Sequence, residues 1–179
     1  MSDAICLGEL LIDFVPTVTG TDLISAPEFK KAAGGAPGNV AVGLQQLGIN
    51  TGFIGKVGDD AFGHFLIKSL SDKGVDTNSL LYTNEARTGL AFVSLKADGE
   101  REFMFYRNPS ADMLLCPDEI DDDAIKAAKL LHFGSITLID EPVRSATLHA
   151  IDVAIDADCL ISYDTNLRPS LWQDEVSAK

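Results

Sequence analysis

The glycine-rich stretch Gly34-Gly35-Ala36-Pro37-Gly38-Asn39 constrains this chain more than any other part of its sequence. Two adjacent glycines carry no Cβ, so a ligand can come against the bare backbone. Pro37 suits the first turn of a helix, and apolar residues then recur at helical spacing until Gly48. We therefore expect the glycines at a helix N-terminus, where amides bind anions or hydroxyl-rich ligands and Asn39 adds a donor and an acceptor. The alternative is a turn before an ordinary helix.

Two familiar phosphate-binding motifs do not match this stretch. A dinucleotide fingerprint requires glycine at position 33, which is Ala33, and a Walker loop requires Gly-Lys-Ser/Thr where Gly38-Asn39-Val40 stands. The loop therefore need not hold phosphate, and a polyol is at least as natural a ligand.

Apolar runs that alternate with helical patterns predict a parallel sheet with helices on its faces. The predicted strands are 4–12, 51–57, 130–133 and 159–164, and the predicted helices begin near 36, 61, 118 and 141. Asp13 follows the first strand, and ligands of such sheets bind at the carboxyl ends of strands. Asp13 is therefore a candidate acceptor for sugar hydroxyls, with a strand-end turn residue as the alternative.

Two segments differ from this series and are predicted to form a small β lid. Residues 88–107 alternate as a hairpin around Asp98-Gly99, and residues 14–31 suggest irregular or edge strands. Phe103, Phe105 and Arg107 would share one face of the second hairpin strand and could close over a ligand. The alternative is an aromatic face packed on the core, with Arg107 solvated.

Polar residues also follow the last predicted strand. Asp164, Asn166 and Arg168 lie at its carboxyl end, and Arg168 is the kind of donor that a phosphoryl group requires. A surface ion pair is the alternative for Arg168. Adjacent Asp59 and Asp60 are better suited to cap a helix than to bind a metal ion. The three histidines have no obvious partners and are interpreted as structural.

Composition limits the possible partners of the chain. The formal net charge of −13 over 179 residues argues against binding to nucleic acid or to an anionic membrane. The scattered cysteines Cys6, Cys116 and Cys159 predict reduced thiols of a cytoplasmic protein. We see no signal peptide and no apolar segment of membrane length.

Taken together, these segments resemble the sugar kinases of the ribokinase (PfkB) family. The resemblance runs along residues 1–179, and its motifs are specific as a set. The motifs are the glycine-rich stretch with Gly48, Gly55-Lys56-Val57-Gly58 and Gly63, then Gly8 to Pro16, Asp98 to Phe103, Arg107 to Leu115 and Ser162-Tyr163-Asp164. Several of these segments are most similar to members that phosphorylate fructose.

The resemblance implies a Rossmann-like, ribokinase-like α/β body with a small β lid. It also implies transfer of phosphate from ATP, with Mg2+, to a sugar hydroxymethyl group, with fructose as the expected sugar. By position, Asp13, Gly34, Gly35 and Asn39 would hold sugar hydroxyls, and Arg107 would reach the sugar from the lid. Asn166 and Arg168 would lie near the transferred phosphate, and the lid is a possible homodimer surface.

The chain departs from the family most clearly by what it lacks. Members are roughly twice as long, and their second signature, Asp-Thr-x-Gly-Ala-Gly-Asp, does not occur here. That signature supplies the anion hole and the catalytic base, so we expect no catalytic base and no metal ligand in this chain. We expect the C-terminal half of the domain to be absent, the isolated chain to be inactive, and a sheet edge to be exposed. A non-catalytic sugar-binding module or another family member, such as a ribokinase, remains an alternative.

Overall fold

The strands and helices of this chain form two separate sheets and two helical layers. The computed structural model describes residues 2–95 and 101–172, and the predicted turn Asp98-Gly99 lies outside them. The strands are β1 (Ala4–Leu7), β2 (Leu11–Pro16), β3 (Phe29–Gly34), β4 (Thr51–Gly58), β5 (Leu80–Thr83), β6 (Gly89–Leu95), β7 (Arg101–Tyr106), β8 (Leu130–Gly134) and β9 (Leu160–Asp164). The α-helices are α1 (Ala36–Gln46), α2 (Ala61–Ser71), α3 (Asp122–Lys126) and α4 (Val143–Asp156).

The larger sheet has five parallel strands in the order β5-β4-β1-β8-β9. In the centre, Ala4 of β1 is paired with Thr51 of β4 and with Leu130 of β8. This arrangement confirms the predicted parallel α/β sheet. The single strand predicted over 4–12 was wrong, because the chain leaves this sheet after Leu7 and enters the other sheet at Leu11.

Both faces of the parallel sheet are covered by helices. Alternate residues of β1 point to opposite sides: Ile5 and Leu7 pack with α3 and α4, whereas Cys6 packs with α1 and α2. The two cores share no buried residue, as expected for a sheet that separates two helical layers. The predicted helices on both faces are therefore confirmed.

The smaller sheet, which we call the lid, has four strands in the order β3-β2-β6-β7. β2 is antiparallel to β3 and parallel to β6, and β6 is antiparallel to β7. Aromatic rings link its strands, since Phe14 of β2 stacks on Phe92 of β6 with 5.0 Å between ring centroids, and Phe92 contacts Tyr106 of β7 at 5.6 Å. The structure thus assigns strands of the lid to both segments expected to form it.

The helix ends follow the sequence signals at most positions. The Asp60 carboxylate accepts from the backbone amides of Phe62 and Gly63 and so caps α2, as predicted. Gly48, with φ of +87°, follows the end of α1. The helix predicted over 118–128 was too long, because extended Ile120 separates a short 3-10 turn (Pro117–Glu119) from α3.

The outer strand β9 exposes apolar side chains. Leu160, Ile161 and Tyr163 are exposed to 68%, 41% and 48% of their surface. This agrees with the expected exposed edge of the sheet. Within the described residues, no helix has the length and apolar character needed to cross a bilayer.

Candidate functional site

The candidate site lies where two of the four connections between the parallel sheet and the lid come together. The first crossing is Gly8-Glu9-Leu10, between β1 and β2, and the second is Gly35, between β3 and α1. Gly35 has φ of +111°, and a Cβ there would clash with the backbone oxygen of Glu9. Only glycine therefore lets the two crossings pack against each other.

Asp13 lies inside β2 of the lid, not at the carboxyl end of a strand in the parallel sheet as the sequence had suggested. Its neighbours in register are Ala32 and Ala91, whose small side chains leave space over the sheet. The Asp13 carboxylate lies directly against Gly34, where any Cβ would overlap it. Burial raises the pKa of Asp13, and the nearby Arg168 opposes that rise.

The glycine pair is used differently from the sequence interpretation. The space beside Gly34 is occupied by the Asp13 carboxylate, and the space beside Gly35 by the Glu9 backbone. The missing Cβ atoms thus admit the protein's own groups, which the sequence interpretation did not anticipate. A role for Gly34 and Gly35 in holding sugar stays a prediction, through their backbone atoms alone.

The start of α1 has fewer free amides than expected. The Ala36 amide donates to Glu9 Oε1 at 3.0 Å, Pro37 has no N–H, and the Asn39 amide donates to the Gly35 oxygen at 3.0 Å. These donors are satisfied by the protein itself or missing, so fewer amides remain for a ligand than a helix start usually offers.

The Asn39 side chain borders a groove of about 220 Å³ between α1 and α2, which Gly34 also lines. Asn39 itself is exposed. Its assignment to the sugar stays a prediction.

Glu9 is a member of the site that sequence reasoning missed. Only 2% of its surface is exposed, and its Oε2 atom has no hydrogen-bond partner within the described residues. Burial raises the pKa of Glu9 to about 7, although the Ala36 amide and Arg107 lower it. The available signal was a carboxylate in an otherwise apolar run, Ala4 to Ile12, because such a residue needs a reason to be buried.

Arg107 lies just beyond β7, at the root of the lid, in a buried ion pair. Its Nε donates to Asp112 Oδ2 at 3.1 Å, and the Arg107 and Asp112 side chains are exposed to only 5% and 2%. Ser110 donates to the other Asp112 oxygen at 2.5 Å. Arg107 is therefore neither solvated nor free above the aromatic face, because Asp112 binds it. Contact of Arg107 with sugar stays a prediction.

The segment after β9 brings Arg168 to the lid. The Arg168 guanidinium lies 5.3 Å from the centroid of the Phe103 ring and donates to the backbone oxygens of Asn166 and Leu167. Asn166 is left-handed, with φ of +33°, and its amide donates to Asp164 Oδ1 at 3.0 Å. Arg168 thus makes a cation–π contact, and among the residues that the structure describes it forms no ion pair.

The histidines and Asp59 have partners that the sequence did not reveal. His64 contacts Asp59 Oδ1 and the Tyr82 hydroxyl, each at 3.0 Å, so Asp59 does not cap a helix. His132 contacts Ser162, and His149 contacts Asp122. These contacts lie outside the crossings and agree with structural roles.

The geometry favours a small, uncharged, hydroxyl-rich ligand. The Asp13 carboxylate can accept hydrogen bonds, and Arg168, whose charge acts on Asp13, rests on the Phe103 ring of the lid. The carboxylates of Glu9 and Asp112 surround Arg107, so the root of the lid has little positive charge left for an anion. Within residues 2–95 and 101–172, no group of three His, Cys, Asp or Glu side chains could hold a metal ion.

The fold is a parallel sheet that helices cover on both faces, with a β lid beside the candidate site. This architecture defines the class of protein to which the chain belongs. The chain belongs to the pfkB family of carbohydrate kinases, whose family model matches residues 1–179. It is 57% identical to a fructokinase of Solanum tuberosum and 56% identical to a probable fructokinase-4 of Arabidopsis thaliana, in each case over 98% of the chain.

A crystal structure of a fructokinase with bound ATP from Xylella fastidiosa has the same fold. It matches 98% of this chain with a TM-score of 0.86 and 36% identity. The chain covers 55% and 54% of the two plant proteins and 55% of the bacterial one. The chain therefore spans about half the length of the relatives that it matches.

Proposed function

We propose that this chain is the sugar-binding part of an ATP-dependent fructose kinase, which forms fructose 6-phosphate. The observation that carries the proposal is the meeting of Asp13, Gly34 and Arg168 between the lid and the parallel sheet. The names of the plant and bacterial relatives, which are fructokinases, support fructose as the sugar.

Each side chain of the site has a role that follows from its position. Asp13 accepts hydrogen bonds from sugar hydroxyls, because its carboxylate is half-buried and forms no ion pair within residues 2–95 and 101–172. Arg168 is suited to phosphate oxygens, since a guanidinium offers several donors in one plane. Phe103 holds that guanidinium and brings the lid against it.

This chain has fewer candidate residues for binding the nucleotide than for binding the sugar. ATP supplies the phosphoryl group when bound, and Arg168 and Asn166 are the residues that would lie near it. We expect Mg2+ to arrive with ATP and the general base to lie in a segment outside this chain. Asp13 is not suited to be the base, because its oxygens are needed for binding.

Two further features complete the proposal. The lid ends in the free edge strand β7, where Met104 and Tyr106 are exposed to 42% and 57%, and this surface is where we place a homodimer contact. We place the protein in the cytoplasm, because unpaired thiols persist there and Cys6, Cys116 and Cys159 are free.

Calorimetry with fructose tests the binding part of the proposal. We expect fructose to bind the chain, and Asp13→Asn to weaken that binding about 10- to 100-fold, since a hydrogen bond to a charged group contributes roughly 1.5–3 kcal/mol. Asp59→Asn is the matched control, because Asp59 contacts His64 away from the site. Equal fructose affinity in Asp13→Asn and in the unchanged chain would contradict the assignment.

An ATP-coupled assay of a longer form of the protein separates the alternatives. Phosphorylation of fructose supports the proposal, whereas faster phosphorylation of ribose would indicate a ribokinase. Sugar binding without phosphorylation would indicate a non-catalytic module.

A further inference from the structure

We propose that Glu9 is a positioning residue of the sugar site, which holds the first amide of α1 and thereby the Gly34–Gly35 backbone against Asp13. This inference rests on the proposed function. Glu9 does not need to touch the sugar to have this effect, because it acts through the loop that it binds.

The contacts of Glu9 join three parts of the site. Its Oε1 atom accepts from the Ala36 amide at 3.0 Å, which fixes the start of α1. Its backbone oxygen lies against Gly35 so closely that no other residue fits there. Glu9 thus fixes the position of Gly35, where the chain leaves the lid. Gly34 immediately precedes Gly35 and lies against the Asp13 carboxylate.

The surroundings of Glu9 make its charge state important. The charged groups that face it are Arg107 and Asp112 at the root of the lid, and Asp140 also acts on Arg107. The start of α1 offers only backbone, since Ala36, Pro37 and Gly38 have no titratable side chain. A carboxylate binds an amide about twice as strongly as a neutral acceptor does, and it also favours a helix N-terminus.

The unpartnered Oε2 atom argues against a purely structural role. A buried residue selected only to cap a helix would have both oxygens satisfied or would be replaced by a smaller polar residue. Glu9 is instead buried with one oxygen unpaired within the described residues, where two of the four connections between the sheets pack against each other. Retention of a costly charge at this point indicates a function at the site.

The pH dependence of sugar binding distinguishes positioning from structure. Raising the pH from 6 to 8 ionises Glu9 and strengthens its bond to the Ala36 amide, so the affinity for fructose should rise about fivefold. Glu9→Gln keeps an acceptor at Oε1 but cannot ionise, so this gain should be lost. Asp13 still titrates in the variant, and comparison of the two proteins therefore isolates Glu9.

The experiment combines calorimetry with fructose and NMR of the 15N-labelled chain between pH 5.5 and 8.5. We expect the Ala36 amide signal to titrate with a midpoint near the pKa of Glu9, about 7, and not to titrate in Glu9→Gln. Glu141→Gln is the matched control, because Glu141 also accepts a backbone amide near the start of a helix, from Ser145 at 3.1 Å, and lies elsewhere. It should behave as the unchanged chain does.

Two results would overturn the role of Glu9. One is an Ala36 amide that does not titrate, and the other is fructose binding whose pH dependence is the same in Glu9→Gln as in the unchanged chain. Absence of fructose binding at every pH in the unchanged chain would instead overturn the proposed function, so the two failures are distinguishable.

Discussion

Replacing Glu9 by glutamine should stabilise the protein at neutral and alkaline pH. A carboxylate whose pKa is raised in the folded state binds its proton more tightly there than in the unfolded chain. The folded state then loses stability as the pH rises through the interval between the two pKa values. Glutamine has nearly the same shape and can accept from the Ala36 amide, but it places no charge in the interior.

The size of the effect follows from the pKa of Glu9, which burial raises from 4.5 to about 7. Each pKa unit corresponds to about 1.4 kcal/mol, so the ionised Glu9 lowers the free energy of unfolding by about 3 kcal/mol above pH 7. Below pH 4.5 both states are protonated and the penalty disappears. The loss of stability should therefore develop between about pH 4.5 and 7.

Urea unfolding at several pH values between 4.5 and 8 measures this difference. We expect the free energy of unfolding of the unchanged chain to fall relative to that of Glu9→Gln by about 3 kcal/mol over this range. Glu141→Gln should show no such trend, because Glu141 is exposed and its pKa is lowered by its contacts with Ser145. A difference between the unchanged chain and Glu9→Gln that stays constant with pH, or that grows in favour of glutamate, would refute the reasoning.

Three further predictions concern other residues and the chain itself. Gly35→Ala should destabilise the fold by roughly 2 kcal/mol or more, since it places a Cβ at positive φ and against the Glu9 backbone; thermal unfolding measures this, and an unchanged midpoint would show that the crossing tolerates a side chain. Asp60→Ala should lower the free energy of unfolding by roughly 2–3 kcal/mol, because the carboxylate accepts from two amides of α2 and from Thr88. Burial raises the pKa of Asp60, but these hydrogen bonds outweigh burial and lower it. The stabilisation by Asp60 should therefore be lost as the pH falls below 4. The isolated 179-residue chain should phosphorylate no fructose with ATP, and turnover free of contaminating kinases would show that its residues include the base.

Much of the fold was predictable because it follows from periodic patterns. Strands β1, β4, β8 and β9 of the parallel sheet, the strands of the hairpin and the cap of α2 each have a local signal, whereas strand β5 was not predicted. The first strand was assigned too many residues, because one apolar run supplies both β1 and β2 and only Gly8-Glu9 marks the change of sheet. No pattern within the run shows that its two halves belong to different sheets.

The sequence predicted several polar residues of the candidate site, but it did not predict how they are arranged in space. Asp13 and Gly34 do come together, although Asp13 lies within a lid strand. The burial of Glu9 and the pairing of Arg107 with Asp112 depend on contacts between the lid and the parallel sheet, which sequence spacing does not encode. Arg107 therefore looked available for a ligand when its buried partner was only five residues away.

The position of Glu9 also explains why the site lies at the root of the lid. The lid is joined to the parallel sheet by these two crossings, by residues 84–88 between β5 and β6, and by residues 107–129 between β7 and β8. Glu9 lies in the first crossing and binds the residue that follows the second. A sugar that binds to Asp13 and Gly34 would therefore act on the two connections that Glu9 links. We expect that neutralising Glu9 stabilises the fold and weakens the coupling between sugar binding and these two connections.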